Sequence, residues 1–182
     1  AKIGPGIRSG ALVGAVANAD AEDNQPATAT VEGDEVVIEA TKAYVTNALI
    51  ADWFAVVLKC DDKPAVALVE RDAKGFTRGE RLDTLGYRGV TVAPVWLDKV
   101  RIPKDQLLGP FDDWGPVTDL RRTEDLILAG ASVGLGARTF EAAKAHANEH
   151  QRGGKPIIAY QEIRYRLAEM LTLVQTAQLT VH

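Results

Sequence analysis

The hydrophobic period of this chain changes once, near Pro116, and that change constrains its fold more than any other feature. Before it, short apolar runs alternate with turn formers at roughly 8–12-residue spacing, the pattern of a sandwich or barrel. TATV (28–31) and EVVIEA (35–40) flank Glu32-Gly33-Asp34, while WFAVVLK (53–59) and AVALVE (65–70) flank Asp61-Asp62-Lys63-Pro64. TVAPVWLD (91–98) is a later strand. Val, Ile, Trp and Phe suit a pleated surface, and Gly, Asp and Pro suit its turns. After Pro116, well placed in a first helical turn because the N–H it lacks would be unpaired there, no proline interrupts the chain from Val117 to about His150. Leu120, Ile127, Ala131 and Gly134 fall on one stripe of this helix. Leu126, Leu128, Val133 and Leu135 make other sides apolar, so it is expected to be largely buried. Gly153-Gly154 and Pro156 end it. A second helix is predicted from near Ile158, with Tyr160, Ile163, Leu167, Met170, Val174, Ala177 and Val181 recurring at steps of three and four. The expectation is an α+β fold: a β-barrel-like domain over 1–112, then two long antiparallel helices of an incomplete bundle over 113–182. Two helices cannot enclose such stripes between them, so the rest of the bundle is expected from another segment, another chain or an absent region.

Composition excludes several classes. With 46% hydrophobic and 25% charged residues the chain is not wholesale disordered. A formal charge of -4 argues against a nucleic-acid footprint, though it leaves room for a local anion pocket. The lone Cys60 cannot form an internal disulfide, which fits a reducing, cytoplasmic setting. No apolar run approaches the ~18 residues of a membrane helix. The start, AKIGPGIRSG, has no secretory pattern and no initiator Met, which hints at a processing or cloning boundary.

Three motifs are weak when read alone. HANEH (146–150) fits H-x-x-E-H, two histidines on one helix face with Glu149 as base, but it lacks a third ligand, His182 being terminal. No metal is therefore expected. GASVG (130–134) mimics a nucleophile elbow, yet it lies mid-helix without triad partners, and no strand precedes Gly130 to Gly136 as a dinucleotide loop requires. Small residues there more simply permit close helix packing. Thr46-Asn47 reads from spacing as turn chemistry and Tyr44 as a core aromatic.

The order of local patterns changes that weighting. TKAYVTN (41–47) followed by ADWFAVVLK resembles the T/S-K-x-W/F-I-T-N segment and next strand of acyl-CoA dehydrogenases. LGYRGVTVAPVWLDKVRIPKDQLLG (85–109) is similar to the family's L-G-x-R-x-S-x-T, strand, V-x-V-P and L-L-G. GGKPIIAYQEIRYRLAEM (153–170) resembles F-G-K-P-I-x-x-F-Q and a helix ending L-A-D-M. The resemblance runs from about residue 11 to 182, the middle half of a family member. It implies FAD, an acyl-CoA substrate and α,β-dehydrogenation, with a carboxylate removing the α-proton and the flavin receiving the β-hydride. It places the Thr46 hydroxyl against the flavin and the Tyr44 ring over it. TEDLILAG (123–130) is similar to the L-E-R-L-V-L-A-G of isovaleryl- and long-chain-type members, which makes Glu124 the α-proton base; the alternative is a Glu124 paired with Arg121 one turn earlier.

Departures from the family pattern cluster at the cofactor. The T-E-P-x-A-G-S-D loop corresponds to VANADAEDN (16–24), whose Asp20, Glu22 and Asp23 are poor partners for a diphosphate. The R-x-x-F-G that serves a neighbouring subunit's FAD becomes His150 and Gly153, with Gly154 kept and Arg152 nearby as a substitute cation. The resemblance thus implies a homo-oligomer or a heteromer with a related subunit. Two rivals stand beside dehydrogenation: a non-catalytic structural subunit of a heteromer, and a flavin monooxygenase of the same fold.

Overall fold

The computed structural model describes residues 3–21 and 25–181, and its contacts divide the chain into two units, Ala1–Thr118 and Asp119–His182. After a short helix α1 (Ile3–Ser9), the first unit holds β1 (Gly14–Ala17), β2 (Thr28–Glu32), β3 (Glu35–Thr46), β4 (Trp53–Cys60), β5 (Lys63–Glu70), β6 (Phe76–Arg78), β7 (Val92–Pro103) and β8 (Leu107–Leu108). They form one sheet in the order β6-β7-β3-β2-β4-β5-β8. Strand β4 takes both β1 and β2 as parallel partners on one edge, β1 at Trp53–Val56 and β2 at Lys59–Cys60. The sheet does not close: among the described residues β6 and β8 are its two ends. The α+β class holds, with an open sheet where a barrel-like one was expected. Among the described residues no helix is long and apolar enough to cross a membrane.

Strand alternation sorts side chains between core and surface. Along β3, Val36, Ile38, Ala40 and Val45 are buried, and along β7 Ala93, Val95, Leu97, Val100 and Ile102 are buried. The parity shifts between Leu97 and Val100, where Lys99 takes φ 50 and the extra residue re-aims the strand. Register shifts between Ile38 and Ala40 and between Lys42 and Val45 do the same in β3. Phe54 and Phe76 meet with centroids 4.6 Å apart in this core, and burying each large side chain contributes about 1.5–3 kcal/mol. Strands β4 and β5 are apolar on both faces because Val57 and Val66 also pack with Val117, beside Ala55 and Phe111.

The second unit is a helical hairpin. Helix α2 (Gly115–Glu149) begins just before the unit boundary; after it come β9 (Gln151–Arg152), β10 (Lys155–Pro156), a 3-10 turn (Ile157–Ala159) and α3 (Gln161–Val181). Gly136, thirteen positions before the end of α2, lies 3.5 Å (from a Cβ built on it) from Val174, thirteen positions after the start of α3, so the helices run antiparallel. On α3 the partly covered positions are Ile163, Leu167, Met170, Val174, Ala177 and Val181, and every residue between them is exposed. The predicted stripe is therefore the real one, although the α-helix begins at Gln161 after a 3-10 turn instead of near Ile158.

The expectation that α2 is largely buried is corrected. Leu126, Ile127, Leu128 and Leu135 are 55–68% exposed. Its covered positions fall on two sides about half a turn apart, Leu120, Glu124 and Ala131 on one and Ala129, Gly136, Phe140 and Ala147 on the other, while Ile127 and Gly134 are exposed. The contact of Gly136 with Val174 accounts for one of these sides, and a helix apolar on several sides needs cover on several sides.

Candidate functional site

Tyr44 and Thr46 come together at the end of β3. Two residues apart on a strand, they point to the same outward face, and both are exposed, Tyr44 by 71%. Tyr44 is thus not a core aromatic. Thr46 pairs in register with Val92 on β7. Asn47 ends the strand in the left-handed region at φ 64, donates its N–H to the Thr91 carbonyl at 2.7 Å, and opens the turn closed by Ile50 and Ala51 N–H groups on its own carbonyl. Turn chemistry and hydroxyl placement coexist here: the Asn47 turn stops β3 so that Thr46 sits at its rim. Beside it, the Thr91 Oγ1 is buried without a hydrogen-bond partner among the described residues. An exposed aromatic and a hydroxyl fixed at the end of a paired strand suit a flat heteroaromatic ring bearing acceptor atoms.

Asp20 has a role that its sequence did not reveal. It is 2.5 Å from the Nζ of Lys42, which is 1% exposed and also donates to the Asn18 carbonyl at 3.1 Å. Burial lowers the Lys42 pKa from the ordinary lysine range, and the hydrogen bond and charge of Asp20 oppose that shift. The carboxylate that counted against a diphosphate is therefore already neutralised by a cation from inside the sheet. Glu22 and Asp23 lie outside the described residues. Lys42 and Asp20 line an open pocket of about 140 Å³ together with Ala27, Val57, Lys59 and Trp114. Sequence reasoning missed Lys42, yet a signal existed: the alternation Val36, Ile38, Ala40 puts residue 42 on the core face.

Glu124 is partly covered, on the side of α2 that also carries Leu120 and Ala131. Burial pushes its pKa above the ordinary glutamate range, the neighbouring Asp125 charge adds to this, and Arg121 opposes it. The alternative, a Glu124–Arg121 pair, is not formed: among the described residues no cation lies within 4.0 Å of Glu124, and Arg122 pairs with Asp119 at 3.1 Å. Arg152 and Gly154 sit together in the hairpin that follows α2. Glu124 is 25 residues from the end of that helix, a rise of about 38 Å, so these residues and Glu124 cannot address one reacting centre within a chain. Gly153 and Gly154 both hold positive φ, and the Tyr160 hydroxyl donates to the Arg152 carbonyl at 2.8 Å. His146 and His150 stack with ring centroids 5.0 Å apart at the end of α2. No group of three His, Cys, Asp or Glu side chains that could hold a metal ion occurs among the described residues. The GASVG segment is helical throughout, with the Ser132 hydroxyl donated to the Leu128 carbonyl.

Comparison with known proteins supplies the family. The acyl-CoA dehydrogenase middle-domain model matches residues 15–100, and the C-terminal-domain model of the same family matches residues 123–182. The chain is 31% identical over 183 residues to benzylmalonyl-CoA dehydrogenase of Aromatoleum aromaticum, covering 97% of this chain and 48% of that protein. It is 32% identical to the human mitochondrial short-chain specific acyl-CoA dehydrogenase, over 84% of this chain and 38% of that protein. An acyl-CoA dehydrogenase structure from Geobacillus kaustophilus superposes with a TM-score of 0.88 at 27% identity, covering 97% of this chain and 50% of that one. A glutaryl-CoA dehydrogenase from Mycobacterium smegmatis, solved in complex with FADH2, superposes at 0.89 and, at 22% identity, shows the shared fold alone. The chain spans half the length or less of these relatives. Matched by both domain models in their family order, with the same fold over nearly all its length, the chain belongs to the acyl-CoA dehydrogenase family.

Proposed function

We propose that the protein is an FAD-dependent acyl-CoA dehydrogenase-like oxidoreductase in which Glu124 takes the α-proton of an acyl-CoA thioester. The observation that carries this reading is Glu124 itself, a half-covered carboxylate without an ion-pair partner among the described residues and with its pKa raised chiefly by burial. The α-C–H of a thioester is weakly acidic, so its base must be a carboxylate whose basicity is raised by a dry site. The C–H electron pair stays on carbon as the proton moves to the Glu124 carboxylate. FAD held there would supply a two-electron acceptor for the β-hydrogen, leaving a Cα–Cβ double bond.

Tyr44 and Thr46 fit such a cofactor as an aromatic cover and a hydroxyl donor at the ring. Arg152 and Gly154 fit its diphosphate as a cation and an open backbone. Because they lie far along α2 from Glu124, they serve a neighbouring copy or a related subunit, so the assembly is a homo-oligomer or a heteromer. Residues 1–112 and 113–182 divide as sheet and helical domains in this scheme, and the lone buried Cys60 suits a cytoplasmic location.

Glu124→Gln keeps the volume and hydrogen-bonding capacity of the side chain but removes the base. The expected outcome is retained acyl-CoA binding with substrate-dependent flavin bleaching slowed by ~10²–10⁴-fold. Bleaching at the wild-type rate removes Glu124 from the mechanism. The competing reading, a non-catalytic subunit, draws on His150 and Gly153 in place of the family's Arg and Phe. A purified complex whose visible spectrum lacks flavin absorption would favour that second reading.

A further inference from the structure

Strand β2 leaves β3 at the Thr28–Glu39 pair, yet the edge of β3 beyond that point is not bare. The segment that follows β1 runs antiparallel along it. The Ala21 N–H donates to the Thr41 carbonyl and the Ala43 N–H to the Ala19 carbonyl, each at 3.0 Å, on either side of a bridge between Asp20 and Lys42. Little in the sequence of this segment, Asn18-Ala19-Asp20-Ala21, anchors it by packing. Ala17 is the last buried residue before it, Ala19 and Ala21 are exposed, and Asn18 and Asp20 border the open pocket instead of packed core. One side chain ties it from inside. Lys42 donates to the Asn18 carbonyl at 3.1 Å and to the Asp20 carboxylate at 2.5 Å, while its own side chain is 1% exposed. An ammonium held in the interior costs stability that an apolar side chain there would not, and burial lowers the Lys42 pKa accordingly. Stability alone therefore does not account for a lysine at this position.

Its place on the strand does account for it. Tyr44 stands two residues beyond Lys42 and Thr46 four beyond, and the bond from Ala43 to Ala19 lies immediately beside Tyr44. Resting on the reading of the Tyr44–Thr46 face as the place where a flavin ring lies, we propose that Lys42 is a positioning residue for the cofactor. From the inner face of β3 it fixes the Asn18–Ala21 segment as a margin beside that outer face, so that the ring meets backbone already in place. Lys42 is buried and Tyr44 is 71% exposed, so Lys42 acts through the segment and does not touch the ring. Asp20 is the other half of the tie. Without Lys42 the segment has to be ordered each time the cofactor binds, and it carries an unpaired carboxylate to the site; both effects weaken binding.

Lys42→Met keeps the volume and removes the tie, and two readouts on the same protein test its role. In residue-resolved hydrogen exchange without flavin, the Ala21 and Ala43 amides are expected to exchange about 10- to 100-fold faster, as loss of hydrogen bonds to a charged group implies. The β4–β5 ladder is expected to stay as protected as in wild type, and the melting temperature not to fall. FAD, titrated by its own fluorescence, is expected to bind about 10-fold more weakly. Lys42→Gln keeps N–H donors one bond shorter and without charge, and is expected to recover part of both effects. Weaker FAD binding with Ala21 and Ala43 exchange unchanged overturns the proposal, because Lys42 would then act on the cofactor by another route. Faster exchange with unchanged FAD affinity overturns it too, because the segment would then play no part in binding. So does a loss of protection throughout the sheet with a lower melting temperature, the mark of a merely structural lysine. A wild-type protein that takes up no FAD overturns instead the cofactor reading on which the proposal rests. If Lys42→Met fails to fold, Lys42→Gln carries the same comparisons.

Discussion

At the scale of single residues, the informative pair is Lys42 and Asp20, because the two are unequally placed. The Lys42 side chain is 1% exposed and that of Asp20 is 30% exposed. Removing one partner of a buried pair is costly when it strands the more buried charge. Asp20→Ala leaves an ammonium in the sheet interior with only the Asn18 carbonyl, and is expected to cost about 3–5 kcal/mol in urea denaturation. Lys42→Met fills the same volume with an apolar chain and leaves Asp20 to water, so it is expected to be neutral or stabilising. The sign of the pH effect follows from the lowered Lys42 pKa. Between that folded value and the ordinary lysine value, the unfolded chain binds more protons than the folded one, so the contribution of Lys42 to stability grows as pH rises through the window. Lys42→Met should remove that alkaline gain. A Lys42→Met protein several kcal/mol weaker than wild type would show that the ion pair, not its desolvation, dominates.

At the scale of elements, period was legible and partnership was not. The seven-residue stripe of the last helix could be read from spacing, because a helix with one covered side writes that side at steps of three and four. Helix α2 could not be read in the same way. Its apolar residues surround it, and only a neighbour can decide that Leu120 and Ala131 are covered while Ile127 is not. Strand β3 extends past Ala40 to Thr46 through TKAYVT, whose polar residues hid a strand that alternation should have continued. The Tyr44–Thr46 face follows from that alternation, whereas the Asp20–Lys42 contact depends on how the β1–β2 connection crosses β3, which no local pattern encodes. The hairpin between the helices yields a further prediction. Gly153 has φ 61, and a Cβ there would meet the Tyr160 hydroxyl at 3.0 Å. The family's Phe at this position would therefore strain the backbone and press on the Tyr160–Arg152 hydrogen bond, while Lys155 lies 4.5 Å over the Tyr160 ring. Gly153→Phe is expected to lower stability by about 1–3 kcal/mol and to raise hydrogen exchange in the 150–160 segment. Unchanged exchange there would mean that the hairpin accommodates a side chain by another route.

At the scale of the molecule, the two units differ in how well they satisfy their own apolar surface. The sheet unit has a continuous core in which Phe54, Ile38 and Val95 are fully buried. In the helical unit, Leu126, Ile127, Leu128 and Leu135 on α2 and Tyr165, Leu173 and Leu179 on α3 are 55–83% exposed. Large side chains exposed together form a patch that seeks cover, each worth about 1.5–3 kcal/mol when buried. The chain on its own is therefore expected to self-associate, seen in sedimentation velocity as species larger than a monomer that grow with concentration. The position of each residue makes the test specific. Leu173 and Leu179 lie off the covered stripe, so Leu173→Glu with Leu179→Glu should shift the distribution toward monomer and leave the melting temperature nearly unchanged. Leu167 and Val174 lie on the stripe, and Val174 meets Gly136, so a charge at either should unfold the helical hairpin instead. A compact monomer at high concentration, with the wild-type sequence, would mean that these faces are satisfied within the chain in solution and that no partner surface is needed to complete the bundle.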